Sequence, residues 1–279
     1  MKSLTKQANR IENAESASKI LTDAFSSLQS GRPRPVGVEI PVNIWNTKVD
    51  KIPQDLVGYP ESGPILNTDQ IEEAAALLNK SHKPIIIVGG GAQNFSVEVN
   101  QLSKSLSAPV IAFRNGHGIM DGSSQLSVTL PAGRELWGEC DVVLAIGTRC
   151  QTAQMQWGID DHMKIIHIDI DDEEIGRINT PEIGINADLK DALPLLLDNM
   201  SGKEKHRNDW VKKVNEVKLK YNKLFAEKLA PQIAWLAAIR AELPKNGIFV
   251  DELTQVGYVS RFAFESYSPR TFLSTGYQG

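Results

Sequence analysis

Apolar positions recur at helical spacing near the start of the chain. Ile11, Ala17, Ile20, Leu21, Ala24, Phe25 and Leu28 predict a helix over residues 11–30. Gly31 follows Ser30 and suits the left-handed conformation that ends a helix. Pro33, Pro35 and Pro41 then fence a short strand from Val36 to Ile40. One helix and one strand cannot build a core, so residues 1–45 must pack on something else. Residues 46–66 read as a linker, with prolines, glycines and little periodicity. Regular patterning begins at Thr68. Ile71, Ala74, Ala75, Leu77 and Leu78 form a buried stripe, and Asp69 with Glu72 reads as a capping box.

A different pattern comes next. The run PIIIVGGGA (84–92) places Ile85 to Val88 together, as in a strand buried on both faces of a parallel sheet. A helix carrying Val99, Leu102 and Leu106 succeeds it. Strands are then expected at 109–113, 141–147, 164–171 and 183–186, and a helix at 188–200. Strands alternating with helices predict an α/β fold. Its centre, residues 67–200, is a doubly wound, mainly parallel, Rossmann-like sheet domain flanked by incomplete α/β pieces. Residues 201–230 read as a polar connector helix with a stripe of Trp210, Val214, Val217, Tyr221 and Leu224. A helix over 231–243 and a strand over 247–251 open a further α/β unit that runs to residue 279. On this reading the centre folds by itself, and residues 1–45 and 245–279 dock loosely.

Composition changes this picture little. The 279 residues are 41% hydrophobic and 23% charged, with a net charge of −4, the balance of an ordinary globular domain. That charge points to neither nucleic acid nor an anionic membrane. No apolar run reaches the roughly 20 residues of a membrane helix, and no secretory h-region precedes the first helix. Cys140 and Cys150 form no C-x-x-C pair, which suits free thiols in a reducing, cytoplasmic setting.

Candidate chemistry sits at strand ends. The turn Gly89–Gly91 could bring backbone N–H groups to a phosphate, or be only a tight turn. Asp169 could accept from ribose hydroxyls, or cap the acidic DDEEIGR segment, and both can hold. Arg149 could hold a phosphate or a ring, or make a surface ion pair. His167, inside KIIHIDI, reads as a structural histidine. His117 lies in a glycine-rich loop without a visible Asp or Ser partner. No zinc spacing, H-E-x-x-H or G-x-S-x-G occurs.

Several segments agree in order with one family. SGRPRPVGVEIPVNIW (30–45) resembles the end of the pyrimidine-binding domain of thiamine-diphosphate-dependent, acetolactate synthase-like enzymes. KPIIIVGGGA, APVIAFRNGHG, CDVVLAIGTR, KIIHIDIDDEEIGR and INADLKDAL resemble its central domain. VDELTQVGY (250–258) and SPRTFLSTGYQG (268–279) resemble the start of its diphosphate-binding domain. The resemblance implies thiamine diphosphate and Mg²⁺, a 2-oxoacid substrate, decarboxylase or carboligase chemistry, and a homodimer or homotetramer. It also implies that the activating glutamate precedes Met1 and that the Mg²⁺ ligands follow Gly279, so the chain alone should be inactive. Glu252, Leu253, Thr254 and Gln255 match the loop that meets the diphosphate. Gly276 to Gly279 match the approach to the aminopyrimidine. In the central domain Gly90, Gly91, Arg149, Asp169 and Asp188 match positions that bind FAD or ADP in some members. Cys150-Gln-Thr-Ala153 departs from the acidic and basic run of the FAD-binding members, which argues against tight FAD binding and leaves weak ADP-like binding or an empty domain. The competing class is a free-standing nucleotide-binding module of the electron-transfer-flavoprotein or sirtuin type, which has no use for residues 250–279.

Overall fold

A computed structural model describes residues 2–50, 63–200 and 207–276. The chain divides into two compact units, Met1–Ile65 and Leu66–Gly279. In the first, strand β1 (Gln7–Arg10), helix α1 (Ala17–Gln29) and strand β2 (Val36–Glu39) form a βαβ unit. β1 and β2 pair in parallel, with Gln7 opposite Val36 and Arg10 opposite Glu39. The polar sequence QANR gives β1 no alternation to read, so the pattern alone does not show it. Periodicity places Ile11 in the helix. Instead its N–H donates to Glu39 O at 3.0 Å and extends the strand pair, with the side chain 1% exposed. Lys6 Nζ donates to the Ser27 carbonyl at 2.8 Å, where α1 runs out of partners.

The second unit starts with α2 (Thr68–Lys80). Asn67, not Asp69, is its cap: the Asn67 side chain accepts from Asp69 N at 3.0 Å. Asp69 sits one step inside, where a negative charge suits the helix start. There follow β3 (Pro84–Val88), α3 (Ser96–Leu106), β4 (Val110–Ala112), β5 (Ser127–Val128), α4 (Leu130–Trp137), β6 (Val142–Ile146), β7 (Lys164–Asp169), β8 (Ile183–Asn186) and α5 (Leu189–Asp198). The sheet order is β5-β4-β3-β6-β7-β8 and every pairing is parallel. Strands therefore wind outward in both directions from the β3/β6 boundary, the topological switch point of a doubly wound sheet.

Side-chain alternation splits the core. Ile86, Val88, Leu144, Ile146, Ile166 and Ile168 pack under α2, α3 and α5. Ile85, Ile87, Val143, Ala145 and Ile165 pack under α4 and helix α6 (Asn208–Lys228), with Trp137 and Trp210. At the head of α6, Arg207 donates Nε to Ser81 O at 2.9 Å and Nη2 to Leu78 O at 3.1 Å, and Nη1 reaches Leu106 O. One guanidinium thus serves the C-terminal ends of both α2 and α3.

Helix α7 (Ala230–Glu242), strand β9 (Phe249–Val250), helix α8 (Gln255–Ala263) and strand β10 (Phe272–Leu273) complete the unit. β9 and β10 pair in parallel around stacked Phe249, Phe264 and Phe272. Residues 245–276 are not loosely docked, contrary to the sequence expectation. Arg270 N donates to Gln93 Oε1 at 2.8 Å, Gly122 N donates to Ser266 O at 2.9 Å, and His117 Nε2 lies 3.0 Å from Arg261 O. Among the described residues, no helix is long and apolar enough to cross a membrane.

Candidate functional site

The sheet brings the central-domain candidates to one edge. Gly90 and Gly91 follow β3, Arg149 follows β6, Asp169 ends β7 and Asp188 follows β8, so they cap four successive strands. Their local bonding serves the fold first. Gly91 N donates to Gly147 O at 3.0 Å. A Cβ on Gly89 would stand 2.5 Å from Gly147 O, and one on Gly91 would stand 2.9 Å from Gly147 Cα. The glycines therefore let the β3 and β6 loops interlock at the switch point. Buried His167 holds the same loop, its Nε2 2.8 Å from Thr148 O, as a structural histidine does. The Asp169 carboxylate is only 8% exposed and accepts from Asp171 N at 3.0 Å. The Asp188 carboxylate caps α5 through Lys190 N at 3.0 Å. Arg149 is exposed, beside Cys150 in the left-handed region at φ 49°. A phosphate cradle built on Gly91 would need an N–H already donated to Gly147 O, and a ribose would need the buried Asp169 carboxylate, one oxygen of which already accepts from Asp171 N. These residues fit a nucleotide poorly. Burial pushes the Cys150 thiol up to about 12 and Cys140 higher still, so neither thiol is reactive.

A second cluster lies at the end of β9, and its centre, Asp251, is a residue of the VDELTQVGY segment to which the sequence assigns no role of its own. Asp251 is 1% exposed. Its Oδ2 accepts from Arg261 Nε at 2.6 Å and Ser274 Oγ at 3.0 Å, and its Oδ1 accepts from Thr275 N at 2.8 Å. Burial alone would raise its pKa, but the hydrogen bonds from Arg261, Thr275 and Ser274 outweigh burial and hold it below the usual carboxylate value. Arg261 Nη2 also donates to Gly276 O at 3.1 Å. Asp251 and the turn Ser274–Gly276 fall in the two segments VDELTQVGY and SPRTFLSTGYQG, but nothing in either shows that they bond to each other or to Arg261.

The expected loop residues gather around that centre. Thr254 Oγ1 caps α8 by accepting from Gly257 N at 3.0 Å. Glu252 is exposed and its Oε1 accepts from Leu253 N at 2.6 Å. Gln255 is exposed at the first position of α8 and accepts from Gln232 Nε2 at 3.2 Å, which leaves its own amide N–H groups toward solvent. Gly276 has φ +76° and lies near the Arg114 guanidinium. Gly279, the last expected residue, lies outside the described residues. The positive end of α8 and the Gln255 amide fit a diphosphate, while the Asp251 carboxylate behind them is buried and neutralised by Arg261. Nearby, an open pocket of about 300 Å³ is lined by Gly90, Gln93, Asn115, Arg270, Phe272 and Ser274. It brings Gly90 to the C-terminal segment, but not to Arg149, Asp169 or Asp188.

His117 ties the β4 loop to the segment around Asp251. Its ring stacks on Phe272 at 4.4 Å. Loss of solvation lowers its pKa to about 4, against smaller opposing effects of the Arg261 carbonyl and the Asp251 charge. It is a neutral latch between the β4 loop and the C-terminal segment. Among the described residues, no group of three or more His, Cys, Asp or Glu side chains could hold a metal.

Comparison with known proteins bears on both clusters. The family model for the thiamine pyrophosphate enzyme central domain matches residues 71–196, from the first turns of α2 to the end of α5. The chain is 24% identical to acetolactate synthase isozyme 1 large subunit of Escherichia coli over 98% of its own length and 50% of that protein's. It is 29% identical to acetolactate synthase 2, chloroplastic, of Nicotiana tabacum over 99% of its length and 44% of the relative. It is 30% identical to glyoxylate carboligase of E. coli O157:H7 over 75% of its length and 38% of the relative. The chain thus spans about half the length, or less, of these curated relatives.

Proposed function

We propose, from the premise that residues 71–196 belong to the thiamine pyrophosphate enzyme family as its central domain, that the chain serves a thiamine-diphosphate-dependent 2-oxoacid carboligase or decarboxylase. The carrying observation is that similarity to acetolactate synthases covers 98–99% of the chain. It therefore takes in the Asp251 cluster as well as the sheet. A free-standing nucleotide module accounts for the sheet order but not for the β9–α8–β10 piece bonded onto it.

When bound, thiamine diphosphate supplies the carbanion and electron sink for losing CO₂ from a 2-oxoacid. This chain's residues hold and orient. The N-terminus of α8 and the Gln255 amide would hold the diphosphate, with Thr254 fixing the helix start. Glu252 stands in the same loop, and Gly276 would line the approach of the ring. Mg²⁺ would accompany the diphosphate, and among the described residues no group of three or more His, Cys, Asp or Glu side chains would hold it. The central sheet is a spacer, with no tightly held FAD. Gly90, Gly91, Arg149, Asp169 and Asp188 build its strand-end loops. The active assembly is a homodimer or homotetramer in the cytoplasm, with the Glu252–Gly257 loop at a subunit boundary.

The test is CO₂ release from pyruvate and from glyoxylate by the complete gene product. Release that needs both thiamine diphosphate and Mg²⁺ is expected, with none from the 279-residue chain alone. Cofactor-independent release, or turnover by this chain by itself, would refute the assignment.

A further inference from the structure

Two segments meet at Asp251: the loop Glu252–Gln255, which starts at its own carbonyl, and the turn Ser274–Gly276. Its carboxylate takes the Ser274 hydroxyl and the Thr275 amide directly, and its partner Arg261 takes the Gly276 carbonyl. Every residue of the turn is thus bonded to one ion pair. The pair is the most buried salt bridge among the described residues, with side-chain exposures of 13% for Arg261 and 0% for Asp251. A pair so deeply desolvated gains little stability over an apolar filling of the same shape. What it provides is direction, because a carboxylate and a forked guanidinium fix donors and acceptors that a leucine would leave to slide. Gly257 strengthens the arrangement: any Cβ there would collide with Glu252 O, so the loop is pressed on α8 from the other side.

We propose that Asp251, acting through Arg261, is a positioning residue that sets the Ser274–Gly276 turn against the Glu252–Gln255 loop, so that the two present one preformed surface to thiamine diphosphate. The inference rests on the functional reading above. It adds that cofactor affinity depends on a side chain that does not touch the cofactor. Asp251→Asn keeps the shape but sets an amide N–H₂ or a weaker acceptor against Arg261. Arg261→Lys keeps the charge and loses the second bond to Gly276 O.

In the complete gene product, Asp251→Asn should raise the Kd for thiamine diphosphate at fixed Mg²⁺ by tenfold or more. The loss should fall on Kd rather than on kcat at saturating cofactor. Arg261→Lys should raise Kd by a smaller factor. In the 279-residue chain, the Thr275 amide should exchange slowly with solvent, and at least tenfold faster in Asp251→Asn. A merely structural role would lower Tm and leave Kd alone. A Kd within twofold of wild type in folded Asp251→Asn overturns the proposal, as does a Thr275 amide that is unprotected in the unaltered chain. Should Asp251→Asn fail to fold, Ser274→Ala removes one anchor while leaving the ion pair. A threefold weaker Kd is then expected, and an unchanged one overturns the proposal. If the unaltered full-length protein binds no thiamine diphosphate, the functional reading and the cofactor role fall together, while the exchange measurement still decides whether Asp251 anchors the turn.

Discussion

His117 shows what a single residue contributes here. In the sequence it is a histidine in a permissive loop without a visible partner. Its partners are a carbonyl and an aromatic ring, Arg261 O and Phe272, more than 140 positions away in sequence. No local pattern encodes that. The sign of its pH effect follows from its pKa, lowered from the ordinary 6.5 to about 4. Between those values the unfolded chain takes up a proton that the native imidazole refuses. Stability from this group is therefore complete above 6.5, lost as pH falls toward 4, and level below that. The loss is at most about 3–4 kcal/mol. His117→Gln keeps an amide donor for Arg261 O and cannot titrate. Urea unfolding at pH 7 and at pH 4.5 should show a larger drop for the native sequence than for the variant, and equal drops would assign the acid sensitivity elsewhere. By contrast, His167 is legible, because its alternation with Ile166 and Ile168 places it inside a strand.

At the scale of elements, what can be read is what has period. The β-branched runs of β3, β6 and β7 announce themselves, as do the stripes of α2, α3 and α6. β5 and β10 are two residues each and β1 is polar, so none shows in the pattern. Which helix ends are tied together is equally hidden. In the sequence Arg207 is one basic residue among many, yet it is 9% exposed and donates to carbonyls at the ends of α2 and α3. Arg207→Met fills the space with an apolar chain and leaves those carbonyls short of donors. A loss of about 2–4 kcal/mol in denaturant unfolding is expected. Arg207→Lys, a point charge with one head group, should recover only part of it. Gly257→Ala tests a second junction. Because its Cβ has no room beside Glu252 O, overpacking should cost about 1–3 kcal/mol. An alanine variant as stable as the parent would show that the loop yields.

On the scale of the whole molecule, the alternating pattern is sufficient for the doubly wound sheet, and the strand order adds the β3/β6 switch point where such sheets bind dinucleotides. Gly90, Gly91, Arg149, Asp169 and Asp188 are candidates on that ground, and the sheet does bring them to one edge. Position is not availability. The Gly91 amide is donated to Gly147 O, Asp169 accepts from Asp171 N, and Asp188 accepts from Lys190 N. Glycine side chains absent for a ligand's sake would leave space, whereas here the β6 loop fills it beside Gly91 and Asn115 of the β4 loop stands beside Gly90. For FAD to use the Gly91 amide, that interlock would have to open and the bond to Gly147 O, worth about 1 kcal/mol, be released. The purified chain should therefore be colourless, without flavin absorbance in the visible range. ADP at millimolar concentration should shift its Tm by less than a degree, because the Gly91 amide is given to Gly147 O and the Asp169 carboxylate is buried. A yellow protein near stoichiometric occupancy would mean that the β3 and β6 loops separate around the ligand. A clear ADP shift without flavin would place the adenine half alone at this edge, with exposed Arg149 as the first residue to replace.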